Sequence, residues 1–333
     1  MRAQVGTLLL LAAAGFFQAA YALPVKYLRK WRWEQMWVAQ SVTANVLFPL
    51  GWALVVPAAF WSQAAHIPWG HWLASYGWGL FWGVGGIAWG LTMTRLGIAF
   101  ANSFVFGVTT LTGAVLPLAL RAVEAPPRPW LFGGGLILCL VSTALIGFFR
   151  HHGAQEPLLP MPFSFRSYPR IVALAIFAGL ATAGYGLAFT FSFAHIRALV
   201  SNGVSPLSAS LVVVLPVYLG AASTAIPFGL VVAARNSSLD LFLGPFAIRN
   251  WSMALGMGLF AMATAVVYGF ASSVAGHPSP NVSFGIFISF LVLGGVGLGV
   301  ATGETRGWPR RTRAGLLLSA CGLVAGAWLL NAR

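Results

Sequence analysis

Apolar residues along this chain come in long blocks and do not alternate with polar ones. Ten blocks stand out, near 4–23, 36–57, 72–94, 97–120, 130–149, 171–193, 207–233, 250–273, 281–301 and 313–331. Crossing a hydrocarbon core of about 30 Å takes roughly 20 apolar residues as a helix, or ~9–11 as a barrel strand of alternating polarity. The block lengths predict helices. The expected fold is an all-α membrane protein of ten transmembrane helices.

The blocks also repeat. Within a 31-residue stretch from Trp72, the residues Trp72, Gly77, Gly79, Leu80, Phe81, Gly90, Gly97 and Asn102 recur 179 positions later as Trp251, Gly256, Gly258, Leu259, Phe260, Gly269, Gly276 and Asn281. Trp89 falls opposite Tyr268, and Gly15 and Tyr21 in the first block match Gly179 and Tyr185 in the sixth. The longest polar interruption, His151–Arg170, contains Pro157, Pro160, Pro162 and Pro169. It divides the chain into a first five-helix repeat (1–150), a linker (151–170) and a second five-helix repeat (171–333). Five is odd, so the second repeat enters from the opposite side and the two are inverted. Inverted repeats are typical of secondary transporters, whose sites lie where the halves meet.

Composition narrows the class further. With 59% apolar and 7% charged residues, the chain has too little polar surface for a soluble globule. Its net charge of +14 would suggest nucleic acid in a soluble protein, but here the basic residues sort by loop. The loops after spans 1, 3, 5, 7 and 9 hold fourteen of them: Lys26, Arg29, Lys30, Arg32, Arg95, Arg150, Arg166, Arg170, Arg235, Arg249, Arg306, Arg310, Arg311 and Arg313. The other loops hold only Arg121, Arg128 and Arg197. The positive-inside rule predicts that the basic loops are cytoplasmic and that both termini are periplasmic. No nucleic-acid role follows. Trp31, Trp33, Trp37, Trp61, Trp69, Trp72 and Trp308 fall near span edges, where an interfacial belt is expected.

The acidic residues are Glu34, Glu124, Glu156, Asp240 and Glu304, and none falls mid-span. There are no paired carboxylates, no His-x-x-x-His and no phosphate loop. Cys139 and Cys321 lie inside spans, without a ligand spacing. An enzyme, a cofactor and a metal are not expected. His195 and His277 end spans, and His66 and His71 lie in the loop before span 3, as ordinary interfacial histidines do.

The uncharged polar groups carry more information. Asn45, Thr109, Thr110, Thr182, Tyr185, Tyr218, Ser223, Thr264 and Ser289 fall near predicted midplane depth, with Gln18, Tyr21 and Gln40 closer to the basic side. An unpaired amide or hydroxyl in hydrocarbon costs several kcal/mol, so these groups face one another, a backbone or a wet cavity. Ser and Thr commonly bond back to their own helix. Amides and hydroxyls suit a polyhydroxylated solute, and Trp82, Trp89, Tyr185 or Tyr268 suit stacking on a sugar face. Pro216 and Pro227 bracket a stretch of span 7 that holds Tyr218 and Ser223, and it reads either as broken, with freed backbone groups lining the same cavity, or as a simple helix kink. Asn102 and Asn281, the matched polar pair, fit either helix caps or gate elements. Glu34 opens span 2, where it fits either a structural role at the helix dipole with Lys30 as partner or a proton-coupling site.

Trp31-x-Trp33-Glu34-x-Met36-Trp37, then Gly90-Leu91-Thr92-Met93-x-x-Leu96-Gly97 with Gly107, Gly113 and Pro117 beyond, resemble the bacterial L-rhamnose–proton symporters. Leu215-Pro216-x-Tyr218 fits as well. The resemblance covers essentially the whole chain and implies the ten-helix, inverted-repeat fold of the drug/metabolite transporter superfamily, with alternating access. It includes the first span, so the signal-like start, with Arg2, Leu8–Phe17 and Ala20-Tyr21-Ala22, reads as a retained helix. Departures are local: Gly86 and Ala88 stand where the family pattern has asparagines, Trp89 where it has a tyrosine, and Thr264 where it has a glutamine. The implied function is uptake of L-rhamnose or a similar small neutral sugar across a bacterial inner membrane, coupled to protons or sodium. An exporter of amphipathic metabolites or drugs is the alternative within transport, and a membrane sensor or scaffold the alternative outside it.

Overall fold

The computed structural model describes residues 2–96, 98–123, 126, 128–151, 168–273, 280–303 and 306–331. The first half comprises α1 (Arg2–Ala20), α2 (Trp33–Val42), α3 (Phe48–Val55), α4 (Ala58–Ala64), α5 (Trp69–Leu96), α6 (Ile98–Ala119) and α7 (Pro129–His151). The second comprises α8 (Tyr168–Thr182), α9 (Gly184–Ser201), the single turn α10 (Pro206–Ala209), α11 (Leu211–Arg235), α12 (Ala247–Ser273), α13 (Pro280–Ala301) and α14 (Arg310–Asn331). No strand occurs among the described residues.

Among the described residues, eight stretches are long and apolar enough to cross a membrane: Val5–Tyr27, Trp33–Val55, Pro129–Ile146, Pro169–Ser201, Pro206–Arg235, Ala247–Ser273, Val282–Ala301 and Arg310–Leu330. α5 is not among them despite its 28 residues, because glycines, indoles and polar side chains dilute its hydropathy. In α6 the apolar stretch runs over Phe104–Ala119.

Three interruptions differ from the expected block pattern. Between α2 and α3 the helix widens to π geometry over Thr43–Leu47, just before Pro49 withdraws a backbone donor. The sixth block is not one helix but two, parted by a turn at Ala183. The seventh, by contrast, is unbroken: α11 runs through both Pro216 and Pro227, correcting the expectation of a broken stretch. Each proline removes a single i→i−4 bond, and α11 is packed along its length by α5, α2 and α9, which hold the helical path.

Packing pairs helices across the two halves. α5 lies along α11 and α8, α1 along α13 and α12, and α7 along α14. Repeat-matched glycines sit at the seams. A Cβ added at Gly15 in α1 would come within 2.6 Å of the Leu291 backbone in α13, and one at Gly179 in α8 within 2.5 Å of Val108 in α6. At Gly79 in α5 it would overlap the Val217 carbonyl of α11, and at Gly258 in α12 it would reach Phe48 in α3 at 2.8 Å. At Gly90 it would meet Trp33 at 3.0 Å, and at Gly269 Ser210 at 2.6 Å.

The tryptophan belt needs a correction. Trp31, Trp33 and Trp37 are only 4%, 2% and 6% exposed, and form a core with Met257, Ile87 and Ala225. Trp33 and Trp37, one helical turn apart, stack at 5.1 Å because Gly86 and Gly90 let α5 lie against them. Trp61 and Trp69, at 40% and 73%, are exposed as expected.

Candidate functional site

Aromatic side chains from α5, α9, α11 and α12 converge. The Trp82 ring lies 5.2 Å, centroid to centroid, from both Tyr185 and Tyr218. Tyr185 in turn meets Tyr218 at 6.1 Å and Tyr268 at 5.7 Å. Phe189, one turn after Tyr185 on α9, backs Tyr268 at 4.9 Å, with Phe287 of α13 at 5.0 Å. One half supplies the indole and the other the three phenols.

These rings leave polar groups poorly met. Tyr218 Oη reaches the Ala261 carbonyl at 3.4 Å, and the buried hydroxyls meet only loosely among themselves, Tyr185 with Tyr218 and Tyr268 with Ser272, while Thr182 finds no partner among the described residues. An unmet buried hydroxyl costs about 1–3 kcal/mol. Aromatic faces beside weakly bonded hydroxyls are the pairing that a sugar, with its apolar ring face and polar rim, would satisfy.

A second polar group forms between α1 and α2. Tyr21 donates to Gln40 Oε1, Gln40 Nε2 donates to Ser41 Oγ at 2.8 Å, and Thr43 Oγ1 bonds the Ala254 carbonyl at 2.8 Å. Asn45 is buried within the π turn, and neither it nor the half-buried Gln18 forms a side-chain hydrogen bond among the described residues. Trp89 stands apart from the tyrosines, packed on Phe106 at 6.0 Å. Thr264 donates to its own helix at Phe260 and to the Ala14 carbonyl, at 2.9 and 3.4 Å. The side chains of Asn102 and Asn281 lie outside the described residues, as does His277.

Glu34 is 1% exposed and does not pair with Lys30. Lys30 has a left-handed backbone, φ 58°, and its ammonium sits over the Phe246 ring at 5.6 Å. The Glu34 carboxylate instead accepts from Asn236 Nδ2 at 3.0 Å and Ser238 Oγ at 2.9 Å, in the loop after α11. It forms no ion pair among the described residues. Gln35 joins the same knot, donating to the Ser238 carbonyl and hydroxyl, both at 2.8 Å, while accepting from the Arg32 amide at 2.9 Å.

More ties follow at this end. Asn250 Nδ2 donates to the Arg29 carbonyl at 2.8 Å, Trp31 Nε1 to the Leu241 carbonyl at 2.8 Å, Arg249 Nε to the Tyr27 carbonyl at 3.2 Å, and Lys26 Nζ to Thr302 Oγ1 at 2.8 Å. Loops 1, 7 and 9, all basic, therefore meet on one face. Sequence reading missed Gln35 and Asn250, in the first turns of α2 and α12, and the loop residues Asn236 and Ser238, since polar residues at helix starts and in loops carry no periodic signal of their partners.

At the opposite end a hollow of about 550 Å³ is lined by Trp61, Ala64, Ala65, Ile67, Trp69, Trp72 and Leu215. Leu215 is one turn above Tyr218 on α11, so the hollow sits over the aromatic cluster.

Comparison with known proteins agrees with this layout. The family model described as L-rhamnose-proton symport protein (RhaT) matches residues 3–330. L-rhamnose-proton symporters of Escherichia coli O1:K1 / APEC and of Shigella flexneri are each 24% identical to the chain over 318 residues, covering 93% of it and 92% of their own length. A solved crystal structure superposes with a TM-score of 0.59 at 15% identity, covering 98% of this chain and 96% of its own, which shows a shared fold. With a match that runs from Ala3 to Leu330, the chain belongs to the L-rhamnose-proton symport protein family.

Proposed function

We propose that this protein is a secondary carrier that takes up L-rhamnose, or a similar small neutral sugar, together with protons by alternating access. The observation that carries the sugar reading is the Trp82–Tyr185–Tyr218–Tyr268 cluster, aromatic faces with weakly bonded buried hydroxyls, built where the two halves meet. Gln18, Tyr21, Gln40 and Asn45 extend the site toward the basic end, and Asn102 and Thr264 complete the candidate lining.

The carrier is read as ten membrane helices in two inverted five-helix repeats. The matched glycines support this. Gly15 of α1 meets α13, as Gly179 of α8 meets α6; Gly79 of α5 meets α11, as Gly258 of α12 meets α3; Gly90 meets the start of α2, as Gly269 meets the residue before α11. Each pair is what exchanging the halves by a two-fold axis requires. The three basic loops that gather at one face support placing that face in the cytoplasm and the termini outside, in a bacterial inner membrane.

Glu34 is the coupling candidate. It is a buried carboxylate held by neutral donors from the other half, so gaining a proton would change the strength of a contact between halves. The test is uptake of radiolabelled L-rhamnose into proteoliposomes under an inward proton gradient. Accumulation that an ionophore collapses is the expected result; no gradient-dependent uptake across a sugar panel would overturn the reading.

A further inference from the structure

We propose that His71 and His195 are the protein ligands of a divalent transition-metal site, of the Zn²⁺ class, that staples α5 to α9 at the end opposite the basic loops. The two residues lie 124 positions apart, on different halves, and the fold brings their rings to 4.3 Å between centroids with a 57° tilt. Ser75, one turn below His71, has its hydroxyl 3.5 Å from His71 Nε2 and 3.4 Å from Ser192 Oγ, itself one turn below His195. Two imidazoles therefore face each other above two hydroxyls across one seam.

The chemistry of this set fits a borderline metal. Zn²⁺ bonds imidazole nitrogen at about 2.0–2.1 Å, which holds two ring centroids roughly 5 Å apart. The observed spacing is within about 1 Å of that, a difference that side-chain rotation covers. Ligation needs neutral imidazole. Imidazole ligands suit Zn²⁺, Cu²⁺ and Ni²⁺, whereas Mg²⁺ and Ca²⁺ want oxygen. No cluster of three His, Cys, Asp or Glu stands here among the described residues, so a hydroxyl or water completes the shell and binding is reversible.

The position gives the site a consequence. Trp82 lies three turns below His71 on α5, and Tyr185 nearly three turns below His195 on α9, so the staple sits above the aromatic cluster. A metal bonded to both helices would hold this seam shut. Inhibition of transport follows; that part rests on the carrier reading, whereas metal binding does not.

The test is thermal unfolding of the purified protein in detergent with Zn²⁺ at tens of micromolar. The expected result is a rise of several degrees that EDTA reverses and Mg²⁺ does not reproduce, absent from His71→Ala and from His195→Ala. If either alanine variant fails to fold, His71→Gln and His195→Gln replace it, and Co²⁺ absorption in the visible reports imidazole ligation directly. No shift in the unaltered protein, or a shift that survives in both variants, overturns the site. In proteoliposomes Zn²⁺ should lower sugar uptake at least tenfold, and His71→Gln should relieve it. If no uptake occurs even without metal, the carrier reading fails while the thermal and Co²⁺ results still decide the site.

Discussion

The two ends of this molecule are fastened differently. At the basic end the halves are tied by Glu34, Gln35, Asn250, Trp31 and Arg249, through charge-assisted or buried bonds mostly of 2.8–3.2 Å. At the opposite end the described ties are a tilted histidine pair, a 3.4 Å contact between two serines and an exposed Gln63–Asn202 bond of 3.3 Å. The first set is short and mostly shielded; in the second the serine contact is buried but long, and the Gln63–Asn202 bond is open to water. A buried bond is costly to leave unmade, whereas an exposed one trades evenly with water. The conformation described here is thus held chiefly from the basic end, and opening there costs more than opening opposite.

The largest effect should come from the seam that joins the ends. Gly79→Ala would drive a methyl into the Val217 backbone, where neither helix can yield locally. Loss of roughly 3 kcal/mol or more is expected, read as a collapse of folded yield on size exclusion. Next is Glu34→Gln, which should abolish proton-driven accumulation while sparing counterflow exchange; unchanged accumulation would return Glu34 to a helix-dipole role. Gln35→Ala, stripping both bonds to Ser238, should cost about 1–3 kcal/mol in thermal unfolding. Ser75→Ala at the other end, which gives up only contacts of 3.4–3.5 Å, should cost less, about 1 kcal/mol or below. Equal losses from these last two would erase the contrast between the ends.

A further effect, confined to acid pH, is a pH slope. The unfolded chain protonates His71 near 6.5, whereas the folded protein holds it down to about 4. As pH falls from ~6.5 toward 4 the unfolded state therefore binds a proton that the folded state refuses, and stability declines. Above about pH 7.5 the group is neutral in both states and contributes no slope. His71→Ala should flatten the decline, measured as melting temperature against pH.

Helix-forming blocks were legible in the chain because spanning length and loop charge are one-dimensional properties. Breaks in them were not. Pro216 and Pro227 advertised a break in α11 that lateral packing overrides, while the turn at Ala183, beside Gly184 but with no proline near it, parts α8 from α9. Trp82, Tyr185, Tyr218 and Tyr268 were singled out as aromatic groups in polar company, a signal each carries by itself. What joins His71 to His195, or Glu34 to Ser238, is a tertiary meeting of residues more than a hundred positions apart, on which spacing is silent. The buried Trp33–Trp37 stack escaped for a related reason, since a tryptophan near a span edge looks the same facing lipid or facing α5.

The π segment at Thr43–Leu47 has a mechanical meaning of its own. It stores one surplus residue between the indole stack of α2 and the Phe48 ring that Gly258 receives. Releasing that residue into ordinary α geometry would turn α3 by about 100° and advance it by about 1.5 Å relative to α2. Such a slip works as a clutch. It would let one end of the helix rotate while the other stays gripped by Glu34 and Gln35, and it would carry Asn45 around with the turn.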